Sequence, residues 1–164
     1  MTWNFRKPLV VMSPKSLLRH PLCISPVVDL HTGTQFQPVI EDKLTGAQAK
    51  KIRRVIFCSG KIYYDLVEFK EKNKIENVAI VRLEQLYPLH RPLLEEISTR
   101  YNAAEKYWVQ EEPANMGAWT YIQSKLPDFK LKLISRKTSA SPATGYKKLH
   151  DETQAKIVSD ALTV

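Results

Sequence analysis

From about residue 53 to its end, the chain alternates short apolar runs with amphipathic stretches. The runs at residues 55–58, 78–83, 107–110 and 131–134 have the length and composition of strands that are buried on both faces. Because strands and helices alternate, the pattern predicts an α/β fold: a three-layer, mostly parallel sheet with helices on both faces and right-handed crossovers.

The stretches between these runs repeat apolar residues at the spacing of one helix face. The predicted helical stripes are Leu66 with Phe69, then Leu93, Leu94 and Ile97, then Trp119, Ile122 and Leu126, and finally Ile157, Val158, Ala161 and Leu162. The last helix is predicted to begin at about Glu152.

The first 50 residues do not share this rhythm. The apolar run at residues 9–12 predicts a strand, residues 16–19 a helical turn, and residues 29–50 show no sustained periodicity. A short strand without a hairpin partner predicts pairing with polypeptide that precedes it. We therefore predict two parts: residues 1–50 are the closing strand of a preceding domain plus a linker, and residues 51–164 form a C-terminal α/β domain. Met1 can be a natural start or a junction, and the unpaired closing strand favours a junction.

The composition is that of one globular domain, with 164 residues of which 43% are hydrophobic. Two cysteines are too few for a disulfide framework, so we expect reduced thiols. No apolar stretch approaches the roughly 18 residues of a membrane span, and residues 1–9 lack the apolar segment of a secretory signal. We expect a soluble cytoplasmic protein that is not exported.

The net charge of +8 is concentrated in two places. Residues 1–20 carry basic side chains and no acid, and residues 50–54 form a second basic cluster. Such patches fit a phosphate-bearing small ligand or an acidic neighbouring domain about as well as a polyanion, and a solvated basic face stays an alternative. We expect no nucleic-acid partner.

Two segments carry candidate anion donors at the carboxyl ends of predicted strands. Ser59, Gly60 and Lys61 lie at a strand-to-helix turn, where free backbone N–H groups favour an anion. They do not form a phosphate-binding P-loop, because Ile62 follows Lys61 where that motif has serine or threonine. Arg136 opens a loop rich in small residues, and its guanidinium can bind a phosphate or carboxylate. An ordinary turn and a flexible surface loop are the alternatives.

Glu111 and Glu112 also follow a predicted strand, where sites of α/β sheets assemble. A stand-alone hydrolase using one of them is an alternative function, whereas capping or pairing with a basic neighbour needs no catalysis. The four histidines have no ligand-type spacing, so we expect no metal site.

Three runs resemble one family, the thiamine-dependent first component of 2-oxoglutarate dehydrogenase. They are residues 6–21, 55–66 and 82–88, and residues 110–113 with Asn115, Gly117 and Trp119 and the loop at residues 139–145 add two more. Met116 and Lys137 are small departures from the family pattern.

This resemblance implies a homodimeric oxidoreductase that uses thiamine diphosphate and magnesium. Such an enzyme decarboxylates 2-oxoglutarate in the tricarboxylic acid cycle and passes the succinyl group to the lipoyl succinyltransferase component. The chain would correspond to its third domain, which resembles the transketolase C-terminal domain, plus the closing strand of the second.

The resemblance also implies what this chain lacks. Enzymes of this type hold the diphosphate through magnesium with a Gly-Asp-Gly segment, and none of the five glycines here is followed by Asp. We therefore expect no catalytic and no cofactor-binding residue in this chain, and no activity from it alone.

The expected role is assembly with the preceding domains and with a second copy. Some bacterial relatives also bind an acetyl-CoA effector at this domain, which makes an acetyl-CoA or nucleotide effector a candidate partner. The anion donors expected to serve such a site are Lys15, Arg19, Ser59, Lys61 and Arg136. A stand-alone regulatory module that binds phosphate or CoA is the alternative.

Overall fold

The structure is a computed structural model that describes residues 7–8, 10–42, 44 and 46–164. The chain forms two compact units, residues 1–34 and residues 35–164. No helix in the described ranges is long and apolar enough to cross a bilayer.

The first unit contains two short 3-10 helices, Lys15–Leu17 and Val27–Leu30. The first of them overlaps the helical turn that the sequence predicts. Residues 10–12 form no strand in the structure, and Leu9 lies outside the described residues. Because the expected partner of this strand is preceding polypeptide, the closing strand at residues 9–12 stays a prediction. A strand requires a hydrogen-bonded neighbour, and the described part of this unit contains none.

The second unit contains one five-stranded sheet. Its strands are β1 Val39–Glu41, β2 Arg54–Cys58, β3 Val78–Leu83, β4 Glu105–Pro113 and β5 Lys132–Arg136. The strand order is β1-β3-β2-β4-β5; β1 is antiparallel to β3, and every other neighbouring pair is parallel. The predicted α/β fold with a mostly parallel sheet is confirmed.

Helices cover both faces of this sheet. They are α1 Gly46–Ala49, α2 Ile62–Lys72, α3 Arg91–Arg100, α4 Trp119–Lys125 and α5 Lys147–Leu162, with a 3-10 turn at Pro127–Phe129. Alternate residues of a strand point to opposite faces. Val55 and Phe57 accordingly pack with α3 and α4, whereas Ile56 and Cys58 pack with α2 and α5.

The structure differs from the predicted elements in two places. Residues 39–41 were assigned to a linker but form β1, because three residues are too few to show a periodic pattern. Helix α5 begins at Lys147, five residues before the predicted start. The sequence does not indicate this start because the first turn carries a single, exposed leucine and no apolar stripe. The predicted domain boundary at residue 50, between the end of a preceding domain with its linker and the C-terminal domain, stays a prediction.

Candidate anion-binding site

Three neighbouring parallel strands, β2, β4 and β5, end at the same edge of the sheet. Lys61 follows β2, Glu111 lies near the end of β4, and Arg136 ends β5. The topology therefore places two of the predicted anion donors beside a carboxylate at the edge where α/β sheets assemble their sites.

Gly60 makes the turn that positions Lys61. Its φ is +75°, a conformation that glycine adopts easily and L-amino acids rarely adopt. Helix α2 starts at Ile62, so Lys61 lies at the helix N-terminus.

The ammonium group of Lys61 is held by two carboxylates. Its Nζ lies 2.8 Å from Glu111 Oε1 and 3.4 Å from Asp65 Oδ2. Partial burial by itself lowers the pKa of Lys61, but the hydrogen bond and charge of Glu111, and then Asp65, outweigh it and raise that pKa. Lys61 is therefore a fixed cation at this edge.

Gln154, on α5, connects this ion pair to Arg136. Its Nε2 donates to Asp65 Oδ2 at 2.7 Å and to Glu111 Oε1 at 2.8 Å. Its Oε1 accepts a hydrogen bond of 3.4 Å from Arg136 Nη2, and the same Nη2 lies 3.0 Å from His150 Nδ1. One amide thus joins side chains from α2, β4 and β5.

We call this set the Gln154 network: Lys61, Asp65, Glu111, Arg136, His150 and Gln154. Its two formal positive charges are matched by two carboxylates. All six residues are half-buried, so the network is accessible from solvent. It can stabilise the packing of α5, and its two cations can also bind an anion that displaces a carboxylate or adds beside Arg136.

The structure brings together only two of the five predicted donors. Ser59 is not in the Gln154 network; it lines a separate crevice of about 540 Å³ with Trp108 and Tyr121. Lys15 and Arg19 are exposed residues of the first unit. Their part in an anion site stays a prediction.

The adjacent carboxylates Glu111 and Glu112 have different surroundings. Glu111 pairs with Lys61, which is the pairing with a basic neighbour that the sequence favours over catalysis. Glu112 is exposed and lines the Ser59 crevice. The two carboxyl groups thus belong to separate places and do not form an acid–base pair.

Sequence reasoning missed Asp65, His150 and Gln154. His150 and Gln154 are four residues apart, which places them on one helix face, but the predicted helix began after His150. Asp65 follows Lys61 at the same spacing, and this was the one signal in the sequence that could have identified it.

The described residues contain no group of three or more His, Cys, Asp or Glu side chains that could hold a metal ion. The carboxylates of the Gln154 network are occupied by Lys61 and the Gln154 amide. With both carboxylates paired, the Gln154 network presents no open carboxylate of the kind that holds magnesium beside a diphosphate.

A family model described as 2-oxoglutarate dehydrogenase C-terminal matches residues 24–162. The chain belongs to this family. Oxoglutarate dehydrogenase of Buchnera aphidicola subsp. Baizongia pistaciae is 47% identical over 165 residues, which cover 97% of this chain and 18% of that protein. The 2-oxoglutarate dehydrogenase E1 component of Rickettsia conorii is 45% identical over 168 residues, which also cover 97% of this chain and 18% of that protein.

The predicted family resemblance is confirmed by these matches. This member of the family spans less than one fifth of the length of the two relatives. A solved structure of a split gene transketolase, an inactive beta4 tetramer, superposes with a TM-score of 0.53 at 16% identity, covering 78% of this chain and 44% of that chain. At this identity the likeness shows a shared fold, and it agrees with the predicted transketolase-type domain.

Proposed function

We propose that this chain serves as the C-terminal assembly domain of the first component of 2-oxoglutarate dehydrogenase. The observation that carries the proposal is the family match over residues 24–162, combined with the 18% share of the relatives' length. In this role it works with the preceding domains and a second copy. Those domains hold thiamine diphosphate and magnesium, decarboxylate 2-oxoglutarate in the bacterial cytoplasm and succinylate the lipoyl succinyltransferase component.

An exposed apolar segment in the first unit supports an assembly role. Val10 is 78% exposed, Val11 68% and Met12 91%. A run of consecutive exposed apolar side chains is typical of a surface that another polypeptide covers. We assign residues 10–12 to the contact with the preceding domain of the same enzyme.

The test is association with the rest of such an enzyme. The chain is mixed with the Rickettsia conorii E1 component lacking its matching region, and the mixture is sized by light scattering after gel filtration. A joint complex is expected. The double variant Val10→Asp, Met12→Asp should lose it, whereas Leu149→Asp, which changes an exposed leucine of α5, should retain it. Absence of a complex with the unchanged chain would contradict the proposal.

A regulatory anion site is a second candidate function, and the Gln154 network supports it. Lys61 and Arg136 offer cationic donors at the sheet edge, and the proposed ligands are acetyl-CoA or a nucleotide. Thermal-shift titrations with acetyl-CoA, AMP, 2-oxoglutarate, and thiamine diphosphate with magnesium test it.

Acetyl-CoA or AMP should raise the melting temperature of the unchanged chain. The shift should disappear in Lys61→Ala and persist in Lys148→Ala, which removes a lysine that is 90% exposed. No shift with millimolar acetyl-CoA or AMP would exclude this function for the chain alone.

A further inference from the structure

The contact between Arg136 and His150 determines which nitrogen of the His150 imidazole can carry a proton in this structure. Arg136 Nη2 lies 3.0 Å from His150 Nδ1. An arginine nitrogen always donates, so a hydrogen bond here requires His150 Nδ1 to accept and the imidazole to be neutral. The structure therefore corresponds to a state with one cation, Arg136, at this position.

Arg136 has hydrogen-bonding capacity that these contacts do not use. Its Nε is buried and has no hydrogen-bond partner among the residues the structure describes. The two described contacts of its guanidinium both use Nη2, and the one to Gln154 is long at 3.4 Å. A buried donor without a partner is unusual and costs free energy. The guanidinium therefore gains by rearranging around a stronger acceptor.

We propose that Arg136 and His150 form an oxyanion site in which His150 takes up a proton when the anion binds. The ligand class is a tetrahedral oxyanion, either free or as the head group of a larger molecule. An anion placed between Arg136 and His150 turns Nδ1 from an acceptor into a second charged donor. Gln154 adds no donor, because both N–H groups of its amide already bind carboxylates and its Oε1 accepts from Arg136; it positions the Arg136 side chain.

Other charged side chains surround His150, and their charges stay constant in the pH range in which histidines change charge. From α2, α5, β4 and β5 they are Lys61, Asp65, Glu68, Lys72, Asp151, Glu111 and Arg136. Carboxylates ordinarily titrate below pH about 5 and lysines near pH about 10, whereas histidine changes charge between pH 5 and 8. Among the groups named here the imidazole is therefore the one whose class changes charge in this range, and the His150→Gln variant distinguishes it from the other three histidines of the chain.

This inference rests on the proposed anion site and adds that anion binding there depends on pH. The probe is sulfate, because it keeps its double charge across this range whereas phosphate titrates within it. Sulfate affinity of the chain is measured by calorimetry at several values between about pH 5.5 and 8. We expect binding at least about tenfold tighter at the acid end, with a proton taken up when two buffers of different ionisation enthalpy are compared.

The variant His150→Gln should keep weak sulfate binding but lose the pH dependence and the proton uptake. His31→Gln changes an exposed histidine of the first unit and should behave like the unchanged chain. Sulfate binding that is independent of pH, or an unchanged pH dependence in His150→Gln, would overturn this inference and leave the anion site standing. No sulfate binding to the unchanged chain at any pH would overturn both.

Discussion

Arg54 Nη1 donates hydrogen bonds of 2.9 Å to the backbone carbonyl of Ala161 and to that of Asp160. These carbonyls belong to the last turn of α5, where the helix dipole favours a cation. The guanidinium also lies 4.4 Å above the centre of the Tyr107 ring. Arg54 therefore joins the start of β2 to the end of the C-terminal helix.

Replacing Arg54 by methionine should destabilise the domain by about 2 kcal/mol, because two helix carbonyls lose a charged donor. Arg53 is adjacent and exposed, so Arg53→Met should cost less than about 0.5 kcal/mol. Urea unfolding followed by circular dichroism measures both. Equal losses in the two variants would refute the role given to Arg54.

Gly117 should not tolerate a side chain. Its φ is +69°, and an added Cβ would lie 3.0 Å from the amide of Gln110. That amide cannot move easily, since it accepts from Trp108 Nε1 and donates to the Met116 carbonyl. Gly117→Ala should cost about 2 kcal/mol of unfolding free energy. Gly145→Ala, which meets nothing within 4 Å, is the control and should be nearly neutral.

The buried Cys58 thiol should make the domain less stable at alkaline pH. Desolvation raises the pKa of Cys58 from 9.0 to about 12. Above pH 9 the unfolded chain therefore loses this proton while the folded chain keeps it, so stability falls between about pH 9 and 12 at about 1.4 kcal/mol per pH unit for this one group. Below pH 9 the group causes no slope.

Chemical denaturation at several pH values measures that slope. Other groups titrate in the same range, so the comparison is between variants: Cys58→Ala should show a shallower fall than the unchanged chain. Cys23→Ser, at the exposed cysteine, should match the unchanged slope. Identical slopes in all three proteins would contradict the assignment to Cys58.

Removing the charge of Glu111 should strengthen anion binding. Glu111→Gln takes away the carboxylate 2.8 Å from Lys61 and should raise sulfate affinity about fivefold to tenfold at constant pH. It should also reduce the upward shift of the Lys61 pKa. Glu112→Gln changes the neighbouring carboxylate, which lines the Ser59 crevice, and should leave sulfate affinity unchanged. A fall in affinity in Glu111→Gln would contradict an anion site at Lys61.

The sequence predicted the strands of the parallel core well because their apolar runs are continuous. Residues 78–83 are the clearest case, with predicted and observed bounds that agree. It missed β1 because a three-residue edge strand carries no period, and it placed Arg54 in a basic surface cluster although that residue is buried. Local charge counts cannot distinguish an arginine that caps a distant helix from one that faces solvent.

The sequence predicted only those residues of the candidate site that lie beside recognisable strands. Lys61 and Arg136 were identified because both follow strands, and strand order brings them to one edge. Ser59 was grouped with Lys61 on proximity in sequence, but the two residues line different pockets. Gln154 was missed because a neutral amide on a helix has no distinguishing pattern; its role comes from contacts 43 and 89 residues away along the chain.

The assembly role is tested by 2-oxoglutarate decarboxylation by the Rickettsia conorii E1 component without its matching region, measured with and without this chain. An assembly domain predicts no activity from the chain alone, impaired activity from the remaining domains, and recovery when the two are mixed. Full activity of the remaining domains without this chain, or no recovery despite a stable complex, would show that the chain is not an assembly domain of this enzyme.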